Sequence, residues 1–216
     1  MDRGLPHLRK LRRLTAGAEF VQTGSLMETL RRIVYLLLRP AAEWDRIAEE
    51  RTSVDALLRY YILPLALLAP IATVIGMKTF DRDWDPIYGY LVPAEQIFAA
   101  GAATFFAIVG TIFVLAAIFA VIAPMFGGTR DYLAALKVAT YGAIPVMLAG
   151  ATLLLPMMAI VGLGGLCHTL FQLWMGARRV LNVPAGAQAE FVGISLVLLT
   201  LFSILVGAAA GAFGLL

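Results

Sequence analysis

Residues 96–129 read QIFAAGAATFFAIVGTIFVLAAIFAVIAPMFGGT, thirty-four positions without one charged side chain. A helix needs ~20 apolar residues to cross a bilayer core of ~30 Å, so this stretch alone makes the chain a membrane protein. Working outward, Tyr60–Met77 is also free of charge, with Arg59 at its edge. After Asp131 the run to Ala177 holds only Lys137, and it is too long for one helix. Its break belongs at Gly150 to Pro156, because glycine is a poor helix former and proline has no amide to donate. Phe191–Leu216 is charge-free again. The expected architecture is therefore an all-α, polytopic bundle of five transmembrane helices at about 54–77, 94–124, 131–150, 156–177 and 191–214. Lipid cannot satisfy backbone polar groups, which leaves helices or closed barrels, and the two-residue alternation of a barrel strand is absent.

Composition agrees. Of 216 residues 61% are hydrophobic and 14% charged, against about half and a quarter in soluble domains; mean hydropathy is +0.85. A net charge of +3 carries no nucleic-acid signal. The distribution of charge is more informative. Ten of the 17 Lys and Arg lie before the first apolar span, facing seven acids there. With the N-terminus inside, 13 basic residues fall on inner segments, including Arg130, Arg178 and Arg179, and two, Lys78 and Arg82, on outer ones. The positive-inside rule then predicts a cytoplasmic N-terminus, an outer C-terminus and residence in the inner, cytoplasmic membrane. The N-terminal stretch lacks the apolar h-region of a signal peptide. The single Cys167 cannot form an internal disulfide and reads as a small buried residue.

Before the spans comes Arg39-Pro40-Ala-Ala-Glu43-Trp44-Asp45-Arg46-Ile47. Residues 1–25 read as a mobile basic tail, with Arg9-Lys10 and Arg12-Arg13 available to anionic lipid. Residues 26–51 read as amphipathic helices. In the first, Leu26, Leu30, Ile33, Val34 and Leu37 share helical spacing, with Glu28, Arg31 and Arg32 opposite. In the second, which Pro40 opens, Trp44 and Ile47 form one face, opposed by Glu43, Arg46 and Glu50. Either both helices lie in the membrane interface, Arg31, Arg32, Trp44 and Ile47 forming a lipid or partner surface, or they pack under the bundle. Thr52-Ser-Val-Asp55 reads as a capping box at the start of the transmembrane domain, 54–216.

Three motifs, in order, resemble those of the bacterial branch of the Yip (Ypt/Rab-interacting) membrane-protein family. They are Pro40-x-x-Glu43-Trp44-x-x-Ile47-x-x-Glu50 with Tyr61-Ile-Leu-Pro64; Ala134-Ala-Leu-Lys137-Val-Ala-Thr-Tyr141-Gly-Ala-Ile-Pro145; and Gln172-Leu-Trp174-Met-Gly176 with Asn182-Val-Pro184. The resemblance implies a five-span bundle with a cytoplasmic N-terminus. Animal and fungal relatives associate with small GTPases, but their Asp-Leu-Tyr-Gly-Pro signature has no counterpart here, so GTPase binding does not carry over.

Ionisable groups at membrane depth are functional candidates. Counted from a turn at 154–155, Lys137 matches Gln172 in depth and Tyr141 matches His168. Each helix places its two residues on one face at i, i+4. The expectation is a polar cluster of Lys137, Tyr141, His168 and Gln172 between spans three and four, serving either as interhelical glue or as the wall of a solute path. Lys137 lies seven residues past Arg130, ~10 Å deep by helical rise. Ser203, Gly207 and Gly211 form a small-residue stripe suited to helix packing, inside the bundle or on a second copy. No metal site, cofactor motif or catalytic constellation emerges. The reading is a non-enzymatic bundle that organises membrane or a membrane-protein partner, with a small-solute channel or transporter as the rival.

Overall fold

The computed structural model describes residues 26–79, 84–85, 90–155 and 158–212. The basic tail 1–25 and most of the acidic 81–88 loop lie outside them. Two short helices come first, α1 (Leu26–Leu38) and α2 (Pro40–Glu49). Five long ones follow: α3 (Val54–Thr79), α4 (Ala94–Ile122), α5 (Tyr132–Ala149), α6 (Ala159–Arg179) and α7 (Gln188–Ala212). Between α3 and α4, β1 (Trp84–Asp85) pairs antiparallel with β2 (Tyr90–Leu91). The five long segments are each long and apolar enough to cross a membrane.

The boundaries have local causes. Ser53 caps α3, its hydroxyl oxygen accepting from the Ala56 amide at 3.2 Å. The cap thus falls one residue after Thr52, and Asp55 pairs instead with Arg59 at 2.8 Å. Pro64 and Pro70 each remove an amide and crowd the carbonyl four residues back. Accordingly α3 widens into a π-turn over Leu58–Ile62 and breaks briefly at Leu67, as kinked helices do. Beyond α4 a 3-10 turn, Ala123–Phe126, ends at Gly127 with φ 77°, a left-handed conformation that glycine adopts freely. A Cβ on Gly128 would sit 2.8 Å from the Leu181 carbonyl oxygen. Its absence lets the Thr129 amide reach that oxygen at 2.8 Å and join the α4–α5 and α6–α7 loops. Asp131 caps α5 by accepting from Leu133 and Ala134. Asn182, at φ 57°, is the left-handed residue just beyond α6 and its C-cap Val180, with the Val183 amide closing back on the Ala177 carbonyl at 3.1 Å.

The centre of the bundle is α5. Of its most apolar window 61% is buried, against 17% for α7. Glycines bring α6 onto it. A Cβ on Gly142 would overlap Leu173, and one on Gly165 would lie 3.0 Å from the Pro145 carbonyl oxygen. Close approach through small residues is how helices gain packing energy where lipid is as apolar as the side chains. The Val146 amide, next to Pro145, donates to the Thr169 hydroxyl of α6 at 3.0 Å.

Two packing expectations are corrected. Ser203 is exposed and donates to Leu199 in its own turn at 2.9 Å, and a Cβ on Gly207 would meet nothing within 4 Å. The α7 stripe, which Gly211 continues, is therefore not a seam inside this chain at those positions. Instead α7 is held at its start, where Phe191 packs on Phe119 and Phe126 at 5.0 and 5.8 Å. Cys167 is exposed rather than buried. It shares an outward stripe with Leu163, Leu166 and Leu170, where lipid rewards an apolar side chain as well as a core would.

Candidate functional site

The informative site is the joint between the α1–α2 hairpin and the end of the bundle bearing Arg130 and Arg178–Arg179. The hairpin enters end-on. Near its open end, the Lys137 ammonium donates to the carbonyls of Ile47, at 3.1 Å, and of Glu50. Further in, α2 lays Trp44 between Tyr141 and Gln172. Close to the hairpin tip, Leu37 lines a groove of about 400 Å³ with Pro145 and His168. Along α5 these levels climb from ~9 Å to ~21 Å above the Asp131 cap by helical rise.

Each crossing has a chemical reason. At the last turn of α2 the backbone carbonyls have no intrahelical donor, and the Lys137 ammonium supplies one, on the side favoured by the helix dipole. Trp44 is 0% exposed. Its indole N–H donates to Gln172 Oε1 at 2.7 Å, and its ring meets Tyr141 edge-on with centroids 6.4 Å apart. The benzo edge lies over Gly176, where a Cβ would come within 2.7 Å of Cη2. The Gln172 amide donates to the Leu36 carbonyl at 2.6 Å and also meets His168 Nε2 at 2.9 Å. An amide nitrogen only donates, so His168 accepts there and carries its own proton on Nδ1.

Arg32 is the hub. Its guanidinium pairs with Glu43 at 3.3 Å and with Glu50, donates to the Tyr141 hydroxyl at 3.1 Å and lies 5.8 Å from the Tyr141 ring centroid. Tyr61 of α3 packs edge-on against the same ring at 4.9 Å. Glu43, 4% exposed, is shared with Arg46 at 3.3 Å. Burial alone would lower the Arg32 pKa, but Tyr141, Tyr61 and Glu50 outweigh it and hold it above the ordinary guanidinium value. Outside this core, Arg179 Nε bonds Asp45 at 2.7 Å.

The structure thus brings Gln172 to His168, and Trp44 to both Gln172 and Tyr141, while Lys137 turns to the hairpin backbone. Several expected orientations are corrected. Of the two placements left open for Trp44 and Ile47 (1% exposed), both side chains take the one facing the bundle. Glu43 joins them instead of opposing them, and Arg32 points inward while Arg31 stays exposed. Sequence reasoning missed Arg32, Glu43 and Glu50 as one group, although the spacing signal exists: Glu43, Trp44, Ile47 and Glu50 fall at i, i+1, i+4 and i+7, a single helical face. Among the described residues no group of three or more His, Cys, Asp or Glu could hold a metal ion.

Three stretches far apart in sequence, around Glu43–Glu50, Lys137–Tyr141 and Gln172–Gly176, therefore meet at one joint. The family profile described as the Yip1 domain matches residues 34–207. The chain belongs to the Yip family. No curated protein and no solved structure matches it. Within the Yip match lie all the bundle's contributions to the joint and most of the hairpin; Arg32 lies just before it. The protein is thus an integral, multi-pass membrane protein whose family segment includes the hairpin seat as well as the spans.

Proposed function

We propose that this Yip-family protein is a non-enzymatic membrane organiser that uses its bundle as an anchor and the outer face of α1 as its working surface. One observation carries the reading: α1 keeps a largely apolar stripe on its outer face, while its bundle face mixes polar and apolar side chains. Thr29, Arg32, Ile33 and Leu36 face the bundle, while Met27, Leu30, Val34 and Leu38 are 74%, 49%, 48% and 74% exposed. These four form one helical stripe. An exposed apolar stripe on a helix otherwise tied down by charges suits the boundary between headgroups and acyl chains. The excess of Lys and Arg at the hairpin end supports a cytoplasmic location for it, and hence residence in the cytoplasmic membrane with the N-terminus inside.

The solute-path reading loses its motive at the same joint. Tyr141 and Gln172 bond the hairpin, and Lys137 gives two of its three N–H groups to the hairpin backbone. The test uses full-length protein in liposomes, with Cys167→Ala and a single environment-sensitive fluorophore on Val34→Cys. Blue-shifted emission, quenched by spin-labelled lipids near the headgroup, is expected. Water-like emission with free reaction toward a membrane-impermeant thiol reagent would remove the leaflet reading. Solute flux that vanished in Lys137→Ala would restore its rival.

A further inference from the structure

We infer that a cleft at the basic end of the bundle binds a phosphate group. The cleft, about 410 Å³, lies between the end of α2, the start of α5 and the α6–α7 loop, with Glu50, Arg51, Thr52, Asp131, Lys137 and Asn182 among its walls. At its base is the Lys137 ammonium, on a residue 8% exposed. An ammonium has three N–H groups. Two go to the Ile47 and Glu50 carbonyls, which are neutral. Among the described residues no carboxylate pairs with it, because the Glu50 side chain is turned to Arg32. Counting Arg32, Arg46, Lys137 and Arg51 against Glu43, Glu50 and Asp131, the joint and its cleft carry a net charge of +1, with Lys137 the buried cation that no carboxylate touches among the described residues. A largely buried charge of this kind favours a counter-ion strongly.

The walls favour phosphate over other anions. Arg51 is exposed on the rim and forms no ion pair among the described residues, so its guanidinium is available for bidentate contact with two oxygens. The Thr52 hydroxyl and Asn182 amide add neutral donors. A phosphate has enough oxygens to take lysine, arginine and hydroxyl at once, where a carboxylate has two. Asp131 is the opposing charge; two amides at the start of α5 hold its Oδ1, which fixes the carboxylate in place and leaves it negative. A lipid headgroup and a soluble phosphate share this chemistry. The inference stands independently of the leaflet reading of α1.

The test uses the full chain in a neutral detergent at constant ionic strength, titrated in one arm with inorganic phosphate and in the other with short-chain phosphatidate against phosphatidylcholine. Saturable binding is expected, weakened about tenfold or more by Lys137→Gln and by Arg51→Gln and unchanged by Arg59→Gln. Arg51 is exposed, so its variant keeps the test sound if Lys137→Gln loosens the hairpin. Binding of phosphatidate alone assigns the site to a headgroup; binding of inorganic phosphate with the same variant dependence assigns it to a soluble ligand. Either result supports the inference. Absence of binding in both arms, binding indifferent to Arg51→Gln, or an equal loss in Arg59→Gln overturns it.

Discussion

Replacing Gly176 by alanine tests the seat of the hairpin with a single methyl group. On an exposed helix face the change would gain ~1 kcal/mol in helix propensity. Here the new Cβ would lie 2.7 and 3.0 Å from Cη2 and Cζ2 of Trp44 and 2.9 Å from Cγ1 of Val138. The indole has no room to yield, since its N–H is held by Gln172 at 2.7 Å and its edge rests on Tyr141. Overpacking of this kind costs ~1–3 kcal/mol, and displacing the ring would also strand the Gln172 oxygen. A net loss of ~2 kcal/mol is expected. It should appear as a lower apparent Tm in detergent and as faster hydrogen exchange confined to residues 26–50. Trp44→Phe supplies the control, because it removes the benzo edge that the methyl strikes. In that background Gly176→Ala should cost distinctly less, the close approach to Val138 remaining, giving a coupling of ~1 kcal/mol in the double-mutant cycle. Equal Tm losses in both backgrounds would refute the account of the seat.

Arg32→Ala leaves Glu43 and Glu50 without their shared cation, a change that costs ~3–5 kcal/mol for buried pairs; greatly increased protease sensitivity of the hairpin, with the spans still helical by circular dichroism, is the expected outcome. Lys137→Met strips the end of α2 of its donor, and exchange of the amides at 46–51 should quicken in line with ~1–3 kcal/mol. Gln188, fully buried, has no hydrogen-bond partner among the described residues for either side-chain polar atom, so Gln188→Leu should stabilise the fold by up to ~2 kcal/mol and raise the apparent Tm; a fall in Tm would refute this. Gly207→Leu meets open space and should leave the monomer's stability unchanged, so a large loss in the membrane would expose packing between copies.

The spans were legible because a bilayer imposes a length and a prohibition: charge-free runs such as 96–129 admit one interpretation, and Gly150 to Pro156 marks the turn. That spans three and four pair as a hairpin was legible, but their register was not: Gly142 meets Leu173, Val146 meets Thr169 and Gly176 meets Val138, which sets Tyr141 level with residues 173–174 rather than with His168. What the sequence concealed was the polarity of the hairpin. Placing Glu43, Arg32 and Glu50 on an outer face assumes that charges seek water. Beside a membrane, polar groups gain most by finding one another, as Arg32 finds Glu43 and Glu50, and Leu30 and Val34 are left exposed. The charged partners of Arg32, Glu43 and Glu50 are one another and Arg46, on two separate helices, and Tyr141, which fixes Arg32 inward, lies 109 residues further on, beyond the reach of any local pattern. The α7 stripe and Cys167 went astray for a related reason: in lipid, small or apolar does not mean inside.

The joint also dictates an order of assembly. Synthesis delivers α1 and α2 first, with Arg32, Glu43 and Glu50 already in place but Tyr141, Gln172 and Gly176 not yet made. Until α6 is inserted, Trp44 has no seat, and Arg32, Glu43, Arg46 and Glu50 can pair only within the hairpin. The first structure to emerge is therefore the last to settle, and its docking depends on completion of the fourth span. Shortening the chain before Gly176 would strand the hairpin, giving a nascent chain a built-in signal that its bundle is unfinished.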